Sequence, residues 1–177
     1  IDAVAEMFRC GVILPDGAFA PDLENDRLVS EGGRPRKFVI ARADESETGR
    51  AITVSQKDIR ALQLGKAALR AGAEILLHKY GIREPARIVL AGAFGSYIDT
   101  RAALTIGMLP ACSPDRVTSV GNAAGDGALL ALLSLGKRRE AEWVADTVEY
   151  VELASVPDFQ RRYMEAMRFE PSIPGLL

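Results

Sequence analysis

The sequence predicts an α/β fold. Three observations support this: apolar strands alternate with helical segments, two strands each run into a glycine turn followed by a helix, and a nearly all-apolar helix follows the second turn. The length of 177 residues suits one domain or a large piece of a longer protein. Hydrophobic residues make up 48% of the chain, which is enough to form a core without disulfides or metal.

The first 54 residues predict a helix, a loop and a β-hairpin. Apolar residues at helical spacing indicate a helix over residues 1–10, and Gly11 is placed to end it. Residues 15–35 are rich in glycine and proline, which is typical of a surface loop. Two apolar strands, at 37–41 and 51–54, are joined by a polar turn, and this pattern predicts a hairpin.

A long helix is predicted next, from Ser55 to about residue 80. Ser55 and Asp58 match the capping box that starts a helix. One side of the helix carries an apolar stripe, and the opposite side carries Gln63, Lys66 and Arg70. A solvent-exposed face is the favoured interpretation of these three polar residues, and contact with ribose or phosphate is the alternative.

The pattern of strand, small-residue turn and helix then occurs twice. The first copy is a strand at 87–91, a turn at 92–95 and a helix at 99–106 that Asp99 caps. The second copy is a strand at 116–120, a glycine-rich segment at 121–127 and a helix that continues to residue 135. Because residues 128–135 are nearly all apolar, this helix is predicted to be buried on every side and to end at Gly136.

Three elements are predicted after Gly136. They are a helix at 137–146, a strand at 148–153 and an amphipathic helix at 157–167. Trp143 is predicted to pack the first of these helices against the rest of the domain.

Composition excludes several classes of function. The net charge of −2 argues against a primary role in binding nucleic acid. The chain has two cysteines, Cys10 and Cys112, and one histidine, so it is not expected to hold a zinc site or an iron–sulfur cluster by itself. Both thiols are expected to be buried, inert and reduced, as in a cytoplasmic protein. The longest apolar stretch is too short to cross a membrane.

The two glycine turns are the candidate binding site. A glycine turn between a strand and a helix points backbone N–H groups at one spot and lets a flat ligand approach the backbone. The two turns are therefore predicted to form the two sides of one nucleotide site, although turns of this kind also serve simply to pack elements together. Neither turn has the spacing of a P-loop or a Rossmann fingerprint. The candidate nucleotide-binding residues are Gly92, Ala93, Phe94, Gly95, Gly121, Asn122, Gly125, Asp126, Gln63 and Lys66.

Two segments resemble a known family. They are Ile88-Val89-Leu90-Ala91-Gly92-Ala93-Phe94-Gly95-Ser96-Tyr97-Ile98-Asp99 and Ser119-Val120-Gly121-Asn122-Ala123-Ala124-Gly125-Asp126-Gly127-Ala128. Both are similar to the C-terminal domain of the reductive activators of corrinoid proteins, and the resemblance extends over nearly the whole chain. It implies an actin-like ATPase subdomain of the ribonuclease-H-like type, with a mixed sheet flanked by helices. In that superfamily Gly92 matches the first glycine of the adenosine motif, and Ala93 stands where the second glycine is found.

The resemblance also implies what the intact protein does. ATP, with Mg, would drive reduction of a Co(II) corrinoid protein to Co(I), using an electron from a 2Fe-2S ferredoxin domain. Residues 1–177 would form the C-terminal part of that protein, and the ferredoxin domain and the phosphate-binding loops would lie upstream of them. The fragment alone would be inactive as an enzyme.

Two other functions fit the same sequence. The first is a scaffold or homodimerisation domain in which the glycine turns serve only packing. The second is part of a small-molecule kinase with the same fold, which requires a catalytic carboxylate upstream.

Overall fold

The α/β fold predicted from the sequence is confirmed by the computed structural model, which describes residues 1–21, 23–31 and 34–176. Gly32 and Gly33 of the predicted loop lie outside these residues. The helices are α1 (Asp2–Arg9), α2 (Gln56–Lys79), α3 (Gly92–Tyr97), α4 (Thr100–Thr105), α5 (Ala123–Leu133), α6 (Leu135–Thr147) and α7 (Phe159–Ala166). The strands are β1 (Leu28–Glu31), β2 (Arg34–Ala41), β3 (Ile52–Ser55), β4 (Ile88–Leu90) and β5 (Val117–Ser119).

The strands form two small sheets. β1, β2 and β3 pair in that order in antiparallel fashion, with Phe38 of β2 opposite both Leu28 and Val54. The predicted hairpin is confirmed as β2–β3. The prediction of a loop over 15–35 is wrong in part, because β1 and the start of β2 lie within it and pairing with β2 satisfies the backbone of β1. β4 and β5 form the second sheet and run parallel.

The core lies where α1, α4 and the segment after α7 meet. Val4, Ala5 and Phe8, which share one face of the predicted first helix, are buried. The ring of Phe8 packs against that of Phe169 with 5.8 Å between centroids, which ties the start of the chain to its last segment. Ile106, at the end of α4, is completely buried.

The α5–α6 pair departs from the prediction. Leu132 and Leu133 are 73% and 75% exposed, so the expected burial on every side is wrong. An apolar helix is buried only where a partner covers it, and in the part of the chain that the structure describes α5 packs mainly against α6. Gly136 does not end the helix either, since the break falls at Ser134, whose Oγ accepts from Lys137 N at 3.3 Å and caps α6. Trp143 is 65% exposed, which contradicts its predicted packing role.

The segment predicted as a strand at 148–153 has another structure. Residues 148–152 are irregular, and Leu153–Ser155 forms a short 3₁₀ helix. The carboxylate of Glu152 accepts from Ala154 N at 3.3 Å and starts this turn, so the local hydrogen bond replaces pairing with another strand. None of the described helices is long and apolar enough to cross a membrane.

Candidate functional site

The two glycine turns meet at one edge of the β4–β5 sheet. The carboxyl ends of parallel strands lie at the same edge, so the turns that follow β4 and β5 are brought together. Val120 N donates to Leu90 O at 2.9 Å, and Gly92 N donates to Gly121 O at 2.6 Å. The predicted meeting of the turns is confirmed by these two hydrogen bonds.

Gly92 and Gly121 both require the freedom of glycine. Their φ angles are +85° and +62°, in the left-handed region that other residues rarely adopt. A Cβ on Gly92 would have no neighbour within 4 Å, and one on Gly121 would come only within 4.0 Å of Ser96 Oγ. The backbone at both turns is therefore open to the approach of a ligand.

The whole first turn, residues 92–95, lies in α3 and is not the separate turn before a helix that the sequence predicts. Gly95 is buried, and a Cβ there would lie 2.9 Å from Leu90 Cβ, so this glycine lets α3 pack on the end of β4. Ala93 is exposed beside Gly92. The side chain of Phe94, another predicted ligand contact, lies outside what the structure describes.

The second turn forms the start of α5. Asn122 Oδ1 accepts from Gly125 N at 3.1 Å and caps the helix. A Cβ on Gly125 would lie only 2.4 Å from Asn122 Nδ2, so Gly125 makes room for its own cap. Asp126 is exposed in the first turn, where a carboxylate interacts favourably with the helix dipole.

An apolar cavity of 500 Å³ lies beside the first turn. Leu69 and Leu76 of α2 line one wall, β4 lines another, and the cavity reaches Ala91 and Gly95 at the turn. Leu69 and Leu76 belong to the predicted apolar stripe of the long helix, and they are 54% and 42% exposed because they face this opening.

Gln63 and Lys66 lie on another side of α2. They are 3% and 1% exposed, so the prediction of a solvent-exposed polar face is wrong. Gln63 Nε2 donates to Asp16 O at 3.0 Å and to Met167 O at 2.9 Å. Lys66 Nζ donates to Arg168 O and lies 5.5 Å from the centre of the Phe169 ring. Both side chains thus fasten α2 to a segment about a hundred residues further along the chain.

A polar cavity of 310 Å³ lies next to Lys66. It is lined by Lys66, Arg70, Glu74, Gly107, Arg162, Glu165, Ala166, Arg168, Glu170, Pro171 and Ser172. The pKa of Lys66 is lowered to about 8, mainly by burial and also by the charge of Arg70, while Glu170 and Glu74 act in the opposite direction. The residues lining this cavity do not include any from the two glycine turns, so the structure places Gln63 and Lys66 apart from the other candidate residues.

Comparison with known proteins identifies the family. Residues 1–173 match the family described as the C-terminal domain of RACo, the ASKHA domain. The chain belongs to this family. It is 38% identical to the corrinoid activation enzyme RamQ of Eubacterium limosum over an alignment of 182 positions, which covers 98% of this chain and 30% of that protein. A solved reductive activator for corrinoid, iron-sulfur protein matches 99% of this chain and 28% of its own with a TM-score of 0.84 and 30% identity.

The RACo-type domain therefore spans under a third of the length of these relatives. Its described residues contain no group of three or more His, Cys, Asp or Glu placed to hold a metal ion. Cys112 is buried, and burial raises the pKa of its thiol. Cys10 is exposed, so its predicted burial is wrong. A 2Fe-2S cluster needs four ligands, and the two cysteines of this chain do not fit one.

Proposed function

We propose that this domain binds ATP at the two glycine turns. In the intact protein, ATP then drives reduction of a Co(II) corrinoid protein to Co(I), with the electron coming from an iron–sulfur domain outside these residues. The observation that carries the ATP site is the contact between Gly92 and Gly121, which brings two open stretches of backbone together. Membership of the corrinoid-activator family supports the reaction and the corrinoid partner.

The residues of the proposed site divide into two groups. Ala93 and Asp126 are exposed beside the open backbone and would contact the nucleotide. Gly95, Gly125 and Asn122 hold the helix starts in place and act by positioning. The apolar cavity that reaches Ala91 suits the faces of a purine ring, since such pockets are lined mainly by apolar side chains. Contact of ATP with Phe94, Gln63 or Lys66 stays a prediction.

The domain contributes the adenosine side of the reaction. Either the binding of ATP or the transfer of its γ-phosphoryl group supplies the free energy that is coupled to the reduction. Phosphoryl transfer requires metal and phosphate clamps around the γ-phosphate, and the described residues hold no metal-binding cluster. The role proposed for the glycine turns is to bind and orient the nucleoside, and the electron comes from an iron–sulfur domain outside these residues.

Bulk at Ala93 tests the site directly. Ala93 is exposed in α3, so Ala93→Val costs little folding stability, about 0.5 kcal/mol. It places two methyl groups beside the open backbone of Gly92, and we expect the affinity for ATP to fall about tenfold or more. Calorimetric titration of the intact protein measures the affinity, and the absorbance of the corrinoid protein reports the matching loss of Co(I) formation.

Ala141→Val is the matched control, because Ala141 is likewise exposed on a helix and belongs to neither turn. This variant should bind ATP as the parent protein does. Equal ATP affinity for the Ala93→Val and Ala141→Val variants would show that the turns are not the nucleotide site. If both variants bind ATP as the parent does and Ala93→Val alone loses Co(I) formation, the first turn acts in coupling ATP to the reduction. The assignment of the ATP site to the turns then fails.

Homodimerisation is a second candidate function, favoured by the exposed apolar surface of α5 and α6. Leu132 and Leu133 at the end of α5 and Leu135 at the start of α6 are each more than two-thirds exposed. The double substitution Leu132→Glu and Leu133→Glu is expected to convert a dimer of the intact protein to a monomer, as measured by sedimentation velocity. Met164→Glu, at a 62% exposed site on α7, is the control and should leave the dimer intact. A parent protein that sediments as a monomer would rule this function out.

A further inference from the structure

We infer that the polar cavity beside Lys66 is a phosphate-binding site that is separate from the glycine turns. The inference rests on which of the charges around the cavity already have partners. Four cations line it, Lys66, Arg70, Arg162 and Arg168, together with three carboxylates, Glu74, Glu165 and Glu170.

Two of the carboxylates are engaged by other cations. Glu74 accepts from Arg70 Nε, and Glu165 accepts from Arg161 Nη1 through both oxygens at 3.0 Å. Arg70 is also engaged, since its Nη1 donates to Leu109 O and, at 2.9 Å, to Ser172 Oγ. The charges of Glu170 and Glu74 both act on Lys66, and of these two carboxylates Glu74 is already paired with Arg70.

The other three cations keep donors for a ligand. An ammonium has three N–H donors, and within the described chain Lys66 makes one hydrogen bond, to Arg168 O. Arg162 lies 3.9 Å from Glu74 Oε2 and 3.8 Å from Asp158 Oδ2, both too long for hydrogen bonds. The guanidinium of Arg168 has no hydrogen-bond partner among residues 1–21, 23–31 and 34–176.

The geometry favours an anion with several oxygens. Lys66 is 1% exposed and makes one hydrogen bond within the described chain, so an anion in the cavity would compensate a buried positive charge. Arg162 and Arg168 add planar donor groups at the rim, and arginine suits phosphate through paired N–H donors. A volume of 310 Å³ holds a phosphate group, either as free phosphate or as the end of a nucleotide.

Two helical arginines supply the variants for the test. Arg162 of α7 lines the cavity, whereas Arg139 is exposed on α6 and does not line it. Calorimetric titration of the intact protein with sodium phosphate, against sodium chloride at equal ionic strength, should show binding. We expect Arg162→Gln and Lys66→Met to weaken this binding about tenfold or more, and Arg139→Gln to leave it unchanged. Circular dichroism verifies that each variant is folded, and Arg162→Gln, at a half-buried rim position, serves if Lys66→Met does not fold.

The outcomes separate this inference from the proposed ATP site. Loss of phosphate binding with normal ATP binding in Arg162→Gln assigns the cavity to free phosphate. Loss of both assigns it to the phosphate end of a nucleotide. Absence of phosphate binding to the parent protein, or equal weakening by Arg139→Gln and Arg162→Gln, overturns the inference. Neither of these two results bears on Ala93, whose variant tests the glycine turns.

Discussion

Replacing Gly107 with alanine is expected to lower the free energy of unfolding by about 3 kcal/mol or more. Gly107 follows α4 with a φ of +70°, which costs an alanine about 1–2 kcal/mol. Its Cβ would also lie 2.4 Å from the backbone oxygen of Glu170 and 3.5 Å from Lys66 Nζ. A backbone oxygen cannot rotate away as a flexible side chain can, so the segment after α7 must shift and the contacts around Phe169 are lost with it.

Gly81→Ala is the matched control. Gly81 follows α2 in the same way with a φ of +66°, but its Cβ would have no neighbour within 4 Å. It therefore carries the conformational cost alone, and urea denaturation of the two variants isolates the cost of the clash at Gly107. Equal destabilisation by the two substitutions would mean that the C-terminal segment does not pack on Gly107.

Local signals in the sequence predicted most of the elements. Ser55 Oγ accepts from Asp58 N at 3.3 Å while the Asp58 carboxylate accepts from Ser55 N at 2.8 Å, so the predicted capping box is complete. Asp99 Oδ1 accepts from Ala102 N at 2.7 Å and caps α4. Gly11 adopts a φ of +70° just after α1. Each of these features depends on residues at most four positions apart, and this explains why the pattern alone reveals them.

Features that depend on distant partners were not predictable in the same way. Gln63 and Lys66 have the polarity and spacing of a solvated helix face, yet their hydrogen-bond partners are Met167 and Arg168. The buried ammonium of Lys66 is compensated by Arg168 O and the Phe169 ring, and the sequence of α2 does not indicate either partner. The leucines of α5 show the opposite case. Their apolar pattern indicates that burial would be favourable, but burial also requires a packing partner, and the pattern does not supply one.

The candidate site combines both cases. The parallel pairing of β4 and β5 follows from the repeated strand–turn–helix pattern, so the contact between Gly92 and Gly121 could be predicted from the sequence. The polar cavity was not, because its lining comes from α2, Gly107, α7 and the segment after it. The signal that sequence reasoning did contain was the row of polar residues on α2, which it assigned to solvent.

The buried ammonium of Lys66 gives the second large effect. Its pKa is about 8 in the folded protein, below the ordinary value of 10.5, because burial and Arg70 outweigh Glu170 and Glu74. The unfolded chain therefore binds this proton more tightly, and the cost to the folded state is present in full below about pH 8. As the pH rises from about 8 to about 10.5 the unfolded chain loses that advantage, and the free energy of unfolding should increase by about 3 kcal/mol from this group.

Lys66→Met isolates this contribution, because methionine keeps most of the volume without the charge. In phosphate-free buffer we expect the stability of the parent protein relative to the variant to rise by about 3 kcal/mol between about pH 7.5 and pH 10.5. Protonation changes at other groups occur in both proteins and cancel in the difference. A difference that stays constant with pH would mean that Lys66 keeps its ordinary pKa and that water or a carboxylate reaches it. If phosphate occupies the polar cavity, adding it at neutral pH should stabilise the parent more than the variant and shift the rise to higher pH, since an anion beside the ammonium raises the pKa of Lys66.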